Sequence, residues 1–215
     1  MMQARASLRV ARTDVRLGTL ARHEVRVLAD GAVYAVATGL GLPRTWSLAC
    51  QAALDGFAAG RGQGLDATNG VERLRSGVAS ARSALARRCD DLVERMLPDA
   101  SLIAVLLGDG QLHVLSVGPG RVYIQRSGRP QRLTSRDEAP GGLLRAQPSQ
   151  CSAPVRSGDL VLAGSLTAFS MSAIAEAVVL LSQDRMVEPK ELARLLTAPA
   201  AKAGVGAAAM VLRIG

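Results

Sequence analysis

The stretch Val33–Pro43, VYAVATGLGLP, has the pattern of a strand that runs into a glycine-containing loop and then into a helix. A loop in this position often carries a reactive site, because the scaffold around it holds the side chains in place. Acid–base or metal chemistry would need ionisable or ligating side chains. This stretch contains no Asp, Glu, His, Cys or Lys, so it has the setting of a site without the residues that would act there.

The other potentially reactive side chains are scattered along the chain. Cys50, Cys89 and Cys151 form no CxxC pair, so we expect free thiols in a reducing compartment and neither a disulfide framework nor a zinc site. His23 and His113 are isolated, and we interpret both as structural or surface residues rather than ligands.

Composition favours a folded domain. The chain has 215 residues, of which 48% are hydrophobic and 2% aromatic, so Ala, Val and Leu must fill the core of a single domain, residues 1–215. The net charge of +8 is almost entirely arginine, as expected of a GC-rich bacterial genome and a solvated basic surface. Nucleic-acid binding is the least supported function, because the sequence lacks aromatic residues for base stacking and any known nucleic-acid-binding motif.

A membrane location is not expected. The N-terminal sequence MMQARASLRVARTD has no long apolar core of the kind found in signal peptides. The least charged long run, residues 160–183, carries Glu176 near its middle and is interpreted as a strand followed by a helix. We therefore expect a cytoplasmic protein.

The spacing of apolar residues predicts an order of elements. Strands are expected near the N-terminus, around the hairpin dipeptide Asp30-Gly31, in a meander over 102–134, and at 159–164 and 207–214. Helices are expected at 45–59, 67–97, 170–182 and 188–197, and a polar loop at 135–157. Because strands and helices come in blocks, the fold class is α+β with antiparallel sheets.

Five stretches, in this order, resemble the landmarks of the metal-dependent serine/threonine protein phosphatases, the PPM family. They are VATGLGLP (36–43), VGPGRVY (117–123), QRSGRPQRLTSRDE (125–138), SGDLVLAGSLTAF (157–169) and VGAAAMVLR (205–213). The resemblance implies a four-layer α-β-β-α sandwich, in which two antiparallel sheets are stacked and each is flanked by a helix pair.

The resemblance also implies a chemistry, hydrolysis of a phosphoester by water held between two divalent cations. Its acidic ligands are missing here. The family's bridging Asp aligns with Thr38, its His with Pro43, the Asp of the second landmark with Pro119, and the Asp of the fourth with Ser165 or Leu166. The full set of vestigial positions is Glu24, Thr38, Gly39, Pro43, Pro119, Leu166, Val205 and Gly206.

Hard cations need oxygen ligands, and carboxylates above all, so we expect no metal, no cofactor and no catalytic residues at these positions. Glu24 is interpreted as a surface acid and Arg121 as a residue that holds its turn. Ser165 and Thr167 have no apparent His–Asp partners, which leaves a serine-hydrolase hypothesis unsupported.

The resulting hypothesis is a pseudophosphatase, a phosphatase-like domain that binds or regulates a protein partner in bacterial Ser/Thr phosphorylation signalling. The partner would be a kinase, a phosphatase or a phosphoprotein. Candidate partner contacts are Arg73, Arg82 and Arg88 on the second helix, together with the loop at 135–157. The alternative is a divergent active phosphatase that uses other acids, namely Asp30, Asp109 or Asp159.

Overall fold

The structure is a computed structural model that describes residues 6–13, 23–27, 33–61, 70–90, 92, 97–108, 110–135, 141–182 and 187–215, with residues 6–13 and 23–27 described as backbone only. The strands are β1 (Ala6–Thr13), β2 (His23–Val27), β3 (Val33–Leu40), β4 (Asp99–Gly108), β5 (Gln111–Val117), β6 (Arg121–Arg126), β7 (Arg129–Arg132), β8 (Ser149–Pro154), β9 (Leu160–Gly164) and β10 (Ala207–Ile214). The helices are α1 (Trp46–Gly60), α2 (Gly70–Asp90), α3 (Met171–Leu181) and α4 (Pro189–Lys202), with short 3-10 helices at Pro43–Thr45 and Leu166–Phe169.

These strands form two antiparallel sheets. One has the order β1-β10-β9-β6-β7 and the other the order β2-β3-β4-β5-β8. The predicted N-terminal strand is confirmed over residues 6–13, where it pairs with β10 at one edge of the first sheet. The predicted hairpin dipeptide Asp30-Gly31 lies outside the described residues.

Three apolar cores hold the layers together. The first joins α1 and α2 to one face of the second sheet, and the second joins α3 and α4 to one face of the first sheet. The third lies between the sheets and contains Tyr34, Ile103, Val161 and Met210. The predicted four-layer α-β-β-α sandwich is therefore confirmed. Ala, Val and Leu dominate all three cores.

The two helices of the first pair approach closely because small residues lie between them. A Cβ atom on Gly77 would come within 2.6 Å of the Phe57 ring, and one on Gly56 within 2.6 Å of Ala84. Phe57 is fully buried at this contact. The ring therefore fills the space that a side chain at residue 77 would need.

The expected meander over 102–134 is wrong in one respect. β4 and β5 form a hairpin in the second sheet, whereas β6 and β7 form a hairpin in the first. The chain crosses between the sheets at Gly118, Pro119 and Gly120, and Gly118 has a φ of 74° that favours glycine. Alternation of apolar residues is the same in either sheet, so it did not reveal the crossing.

The expected polar loop at 135–157 is also wrong in part, since it contains β8, which pairs with β5 at the edge of the second sheet. Before β8, residues 141–146 form a turn that we call the strap. The Asp99 carboxylate accepts hydrogen bonds from the backbone N–H groups of Gly142 and Leu144, at 3.0 and 3.1 Å. Arg82 donates to the carbonyls of Leu143 and Ala146, at 2.5 and 2.8 Å.

The predicted helices exist with different ends. The second was expected over 67–97 but is described over Gly70–Asp90, and Leu97 and Pro98 are not helical. Asp99 immediately begins β4, so the chain must leave the helix earlier than its apolar stripe predicts. The last helix extends beyond the predicted residue 197 to Lys202, with Pro189 in its first turn as expected.

All three cysteines are free thiols, as the spacing predicts. Burial raises the pKa of the Cys89 thiol, and nearby Asp99 and Asp90 raise it further. Burial also raises the pKa of Cys151. Among the helices in the described ranges, none combines the length and apolarity that a membrane crossing would require.

Replacing Asp99 by alanine is expected to destabilise the protein by about 3 kcal/mol, because buried backbone N–H groups in β4 and the strap lose their acceptor. Asp99→Asn keeps one acceptor oxygen and should cost less than half as much. Urea unfolding measures both. Equal stability of the alanine variant and the parent protein would contradict this account of the strap.

Candidate functional site

The ends of six strands meet at one edge of the sandwich, which we call the strand-end edge. Thr38 of β3 lies opposite Ser101 of β4, and Ser101 lies 3.1 Å from the position of a Cβ atom on Gly118. Gly120 approaches the carbonyl of Gly164 at the end of β9, where the chain continues to Ser165. The structure thus brings together the vestigial positions in β3 and those that follow β5 and β9.

Hydroxyl groups close this edge where the first sheet ends. Ser165 Oγ accepts a hydrogen bond from the backbone N–H of Ala208 at 3.0 Å and lies 2.9 Å from Thr167 Oγ1. Thr167 Oγ1 donates to the carbonyl of Gly206 at 2.7 Å. Ser165 is 2% exposed, so these bonds satisfy a buried polar group. They tie the end of β9 to the start of β10 through neutral groups.

The first landmark is packed rather than open. Thr38 is buried and continues the row of Tyr34 and Val36 that faces the other sheet. Gly39 lies against the first helix, since a Cβ atom there would fall 2.5 Å from Trp46 Cβ. Trp46 Nε1 donates to the carbonyl of Gly41 at 3.0 Å, which fixes the loop that follows β3.

The remaining vestigial positions lie in turns around the same edge. Pro43 begins the first 3-10 helix and Leu166 begins the second, while Val205 and Gly206 directly precede β10. Glu24 pairs through its backbone with Ala37 in β3, and its side chain lies outside the described part of the chain.

Arg121 follows the crossing between the sheets. Its Nη1 donates to the carbonyl of Phe169 at 2.7 Å, so the guanidinium holds the end of the second 3-10 helix against β6. The sequence predicts that Arg121 holds its own turn, whereas the contact described here is with the second 3-10 helix. Half-buried Pro119 lies two residues before Arg121, where the family has an acid.

Asp99 is an acid that the structure places at this edge, opposite Leu40 in the β3–β4 ladder. Sequence reasoning missed it. Both of its oxygens are occupied by backbone N–H donors, Oδ1 from Ala100 and Leu144 and Oδ2 from Gly142. A carboxylate that accepts three such bonds is a structural acceptor rather than a free ligand.

A two-cation centre does not fit the donors of the strand-end edge. Within the described ranges, no three His, Cys, Asp or Glu side chains come together as metal ligands. The Asp99 carboxylate is taken up by three backbone N–H groups, and the other donors described here are neutral hydroxyls and backbone carbonyls that bond to one another, as in Ser165, Thr167 and Gly206. Neutral, satisfied oxygens do not supply the negative charge that Mg²⁺ or Mn²⁺ requires.

Asp159, an acid considered for the alternative hypothesis, is bound elsewhere. It precedes β9, at the opposite end of that strand from Ser165. Arg126 donates two hydrogen bonds to its carboxylate, from Nε to Oδ1 at 3.0 Å and from Nη2 to Oδ2 at 2.6 Å. The backbone N–H of Arg156 also donates to Oδ2, at 2.9 Å. Asp30 and Asp109 lie outside the described residues.

Burial by itself would raise the pKa of Asp159. The hydrogen bonds and charges of Arg126 and Arg156 outweigh burial and hold the pKa of that carboxyl below its ordinary value. The same bonds raise the pKa of the Arg126 guanidinium. The pair is therefore fully ionised at neutral pH and fastens the start of β9 to the end of β6.

The three candidate partner contacts on α2 lie in different surroundings. Arg82 is half-buried and bonds to the strap, and Arg73 is half-buried as well. Arg88 is exposed near the C-terminal end of the helix. Within the loop at 135–157, Arg145 of the strap is exposed, whereas Leu143 is fully buried.

This architecture, two stacked antiparallel sheets with a helix pair on each outer face, is the fold of the PPM serine/threonine phosphatases. The structure is similar to the PPM Ser-Thr phosphatase MsPP from Mycobacterium smegmatis, solved with cacodylate (TM-score 0.73, 22% identity, covering 97% of this chain and 98% of that chain).

Two further solved structures are similar over the same shares of both chains, 97% and 98%. One is PppA, described as a key regulatory component of T6SS in Pseudomonas aeruginosa (TM-score 0.75, 19% identity). The other is the serine/threonine phosphatase PstP/Ppp of Mycobacterium tuberculosis (TM-score 0.76, 18% identity). No family model matches the sequence, and no curated protein matches it either.

Removing the hydroxyls of the strand-end edge should weaken the junction of β9 and β10. Thr167→Val is expected to cost about 1 kcal/mol, and Ser165→Ala about 2 kcal/mol because the buried Ala208 N–H loses its acceptor. Combining the two should cost less than their sum, since the hydroxyls bond to each other. Urea unfolding of the three variants tests this, and strict additivity would contradict a shared network.

Stability should also depend on the Asp159 carboxylate in a defined pH range. A lowered folded pKa gives stabilisation that is complete above the unfolded value of about 3.9 and is lost as the pH falls through the folded value. Asp159→Asn should therefore be less stable than the parent protein at neutral pH, with a gap that narrows in acid. Urea unfolding between neutral and acidic pH measures the gap, and a constant gap would contradict the ionised pair.

Proposed function

We propose that the chain, residues 1–215, is a single phosphatase-like domain that does not hydrolyse phosphoesters and acts as a binding module in bacterial Ser/Thr phosphorylation signalling. The observation that carries this proposal is the closure of the strand-end edge by Ser165, Thr167 and Gly206. It occurs where the resemblance implies acidic ligands. The scaffold is present and its polar groups bond to one another.

A physical comparison supports the absence of catalysis. Two unit charges of opposite sign about 4 Å apart gain on the order of 4 kcal/mol at an intermediate dielectric, so a dication gains on the order of 8 kcal/mol from each carboxylate. Thr38, Pro119 and Leu166 offer no such charge at the vestigial positions. Several of these terms are lost together, so a shift of one residue in register would not restore the site.

The partner in this proposal is a kinase, a phosphatase or a phosphoprotein in the bacterial cytoplasm. Support comes from the similarity to PppA, which is described as a regulatory component. In this proposal, the domain acts by occupying a surface of another protein. The divergent-phosphatase alternative is less well supported, because Asp159 is committed to Arg126.

The protein should not hydrolyse p-nitrophenyl phosphate or a phosphothreonine peptide when Mn²⁺ or Mg²⁺ is added. Phosphate release, measured beside the similar M. smegmatis phosphatase as a positive control, should stay at the level of a buffer blank. Turnover that rises with metal concentration would overturn the proposal. In that event Asp159→Asn would show whether this acid takes part.

The melting temperature should be the same in EDTA and in millimolar MnCl₂. A ligand at a hundred times its Kd stabilises a folded protein by about 2.7 kcal/mol, which raises the melting temperature by several degrees. Thermal unfolding followed by circular dichroism gives the comparison. A rise of that size with Mn²⁺ would reveal a cation site and contradict closure of the edge by neutral groups.

A further inference from the structure

A cleft of about 370 Å³ opens along the β6–β7 hairpin, at the opposite end of β6 from Arg121. We call it the hairpin cleft. Its described lining is Ile124, Arg126, Ser127, Arg129, Pro130 and Gln131. The hairpin turns through Ser127 and Gly128, both with positive φ, which sets a tight two-residue connection.

Two arginines face each other across this hairpin. Arg126 pairs with Arg129 in the β6–β7 ladder, so both side chains share one face of the hairpin. Like charges in directly opposite positions of an antiparallel pair are destabilising. The fold therefore keeps an arrangement that carries a cost unless negative charge compensates it.

Among the described residues, only Asp159 provides part of that negative charge. Asp159 binds Arg126, which also donates to the carbonyl of Pro154 at 3.0 Å, so this guanidinium is held rigidly. The Arg129 side chain is exposed and makes no hydrogen bond or ion pair with any described residue. Exposed Arg156 adds a third guanidinium whose charge also acts on Asp159.

The charge of this region selects a class of ligand. The charges of Arg126 and Arg156 act on the Asp159 carboxylate, and Arg129 lies opposite Arg126, so these four residues carry an excess of two positive charges. A phosphorylated side chain carries a charge of about −1.5 to −2 and three acceptor oxygens. Guanidinium groups bind such oxygens with paired hydrogen bonds, whereas a single carboxylate would neutralise only half of the excess.

Other lining residues of the hairpin cleft can contact the part of the ligand that carries the phosphate. Ser127 offers a hydroxyl and Gln131 an amide beside the arginines, while Ile124 and Pro130 give an apolar surface for the chain that carries the phosphate. Arg126 uses Nε and Nη2 for its bonds to Asp159 and Pro154, which leaves its Nη1 group as a donor.

We propose that the hairpin cleft binds a phosphorylated segment of the partner protein, with Arg129 as the principal contact and the anchored Arg126 as the second. This inference rests on the proposed binding function and names its ligand and its site. The site lies at the far end of β6 from the strand-end edge, so the phosphate is recognised away from the vestigial metal positions.

The probe is inorganic phosphate, followed by phosphothreonine, added to ¹⁵N-labelled full-length protein and monitored by amide chemical shifts. Saturable shifts should centre on residues 126–131 and weaken at higher salt. Acetate and unphosphorylated threonine, at equal ionic strength, separate a carboxylate or amino-acid effect from phosphate. Shifts centred on α2 or on the strand-end edge, or no saturable shift, would overturn the proposal.

Arg129→Glu separates loss of binding from loss of folding. It places an acid opposite Arg126, so the melting temperature should be maintained or raised while phosphate affinity falls about tenfold or more. Arg129→Lys keeps the charge without paired bonding and should be intermediate. Unchanged affinity in Arg129→Glu would overturn the proposal.

Arg87→Ser is the matched control, because it removes an exposed arginine from α2, far from this hairpin, and should leave phosphate affinity unchanged. Arg88→Ser tests the competing surface on α2, and a loss confined to that variant would also overturn the proposal. These outcomes are independent of the metal-dependent turnover assay. Failure of this site and failure of the proposed function can therefore be told apart.

Discussion

Both sheets of this protein are covered on both faces, and that constraint determines where polar chemistry can occur. Helix pairs bury the outer faces and the sheets bury each other's inner faces, so β3, β4, β9 and β10 carry apolar residues on both sides. A charged group within these layers would have to be paired or neutralised. Polar function is therefore confined to the two ends of the strands, one at the strand-end edge and one at the hairpin cleft.

The two ends meet this constraint in different ways. At the strand-end edge, the Asp99 carboxylate accepts hydrogen bonds from backbone N–H groups. Ser165 and Thr167 form hydrogen bonds with backbone atoms at the start of β10 and just before it. These three side chains stabilise the fold itself. At the hairpin, Asp159 neutralises Arg126, and the Arg129 side chain makes no hydrogen bond with any residue that the structure describes. The polar side chains named at the strand-end edge are therefore paired within the fold, whereas the hairpin cleft retains an excess of positive charge.

Much of the fold could be predicted from the sequence, because strands buried on both faces are short apolar runs and the order of landmarks resembles one architecture. The predicted strand at 207–214 matches β10, and the last two helices begin within one residue of their predicted positions. Assignment to a sheet could not be predicted, since the alternation in β5 and β6 is similar. β8 was missed because SQCSAP is half-exposed and carries no apolar run.

The vestigial positions could be placed on one edge, because the ends of antiparallel strands are fixed once their order is known. The contacts that the residues of this edge make could not be predicted. Thr167 bonds to Gly206 and Asp99 to Gly142, contacts that join residues about forty positions apart. In the sequence, Arg82 cannot be told apart from the exposed arginines of α2, because it follows the same helical spacing. Only the path of the strap shows that Arg82 forms a hydrogen bond within the chain.

Closure of the strand-end edge also bears on how such a sequence changes over evolutionary time. A first aspartate introduced at Thr38 would lie buried between the sheets with no cation to meet it, and an isolated buried carboxylate is costly. The benefit of a bound ion would come only after several such replacements. Each intermediate would be less stable than its parent, so the neutral edge opposes the stepwise acquisition of a metal centre.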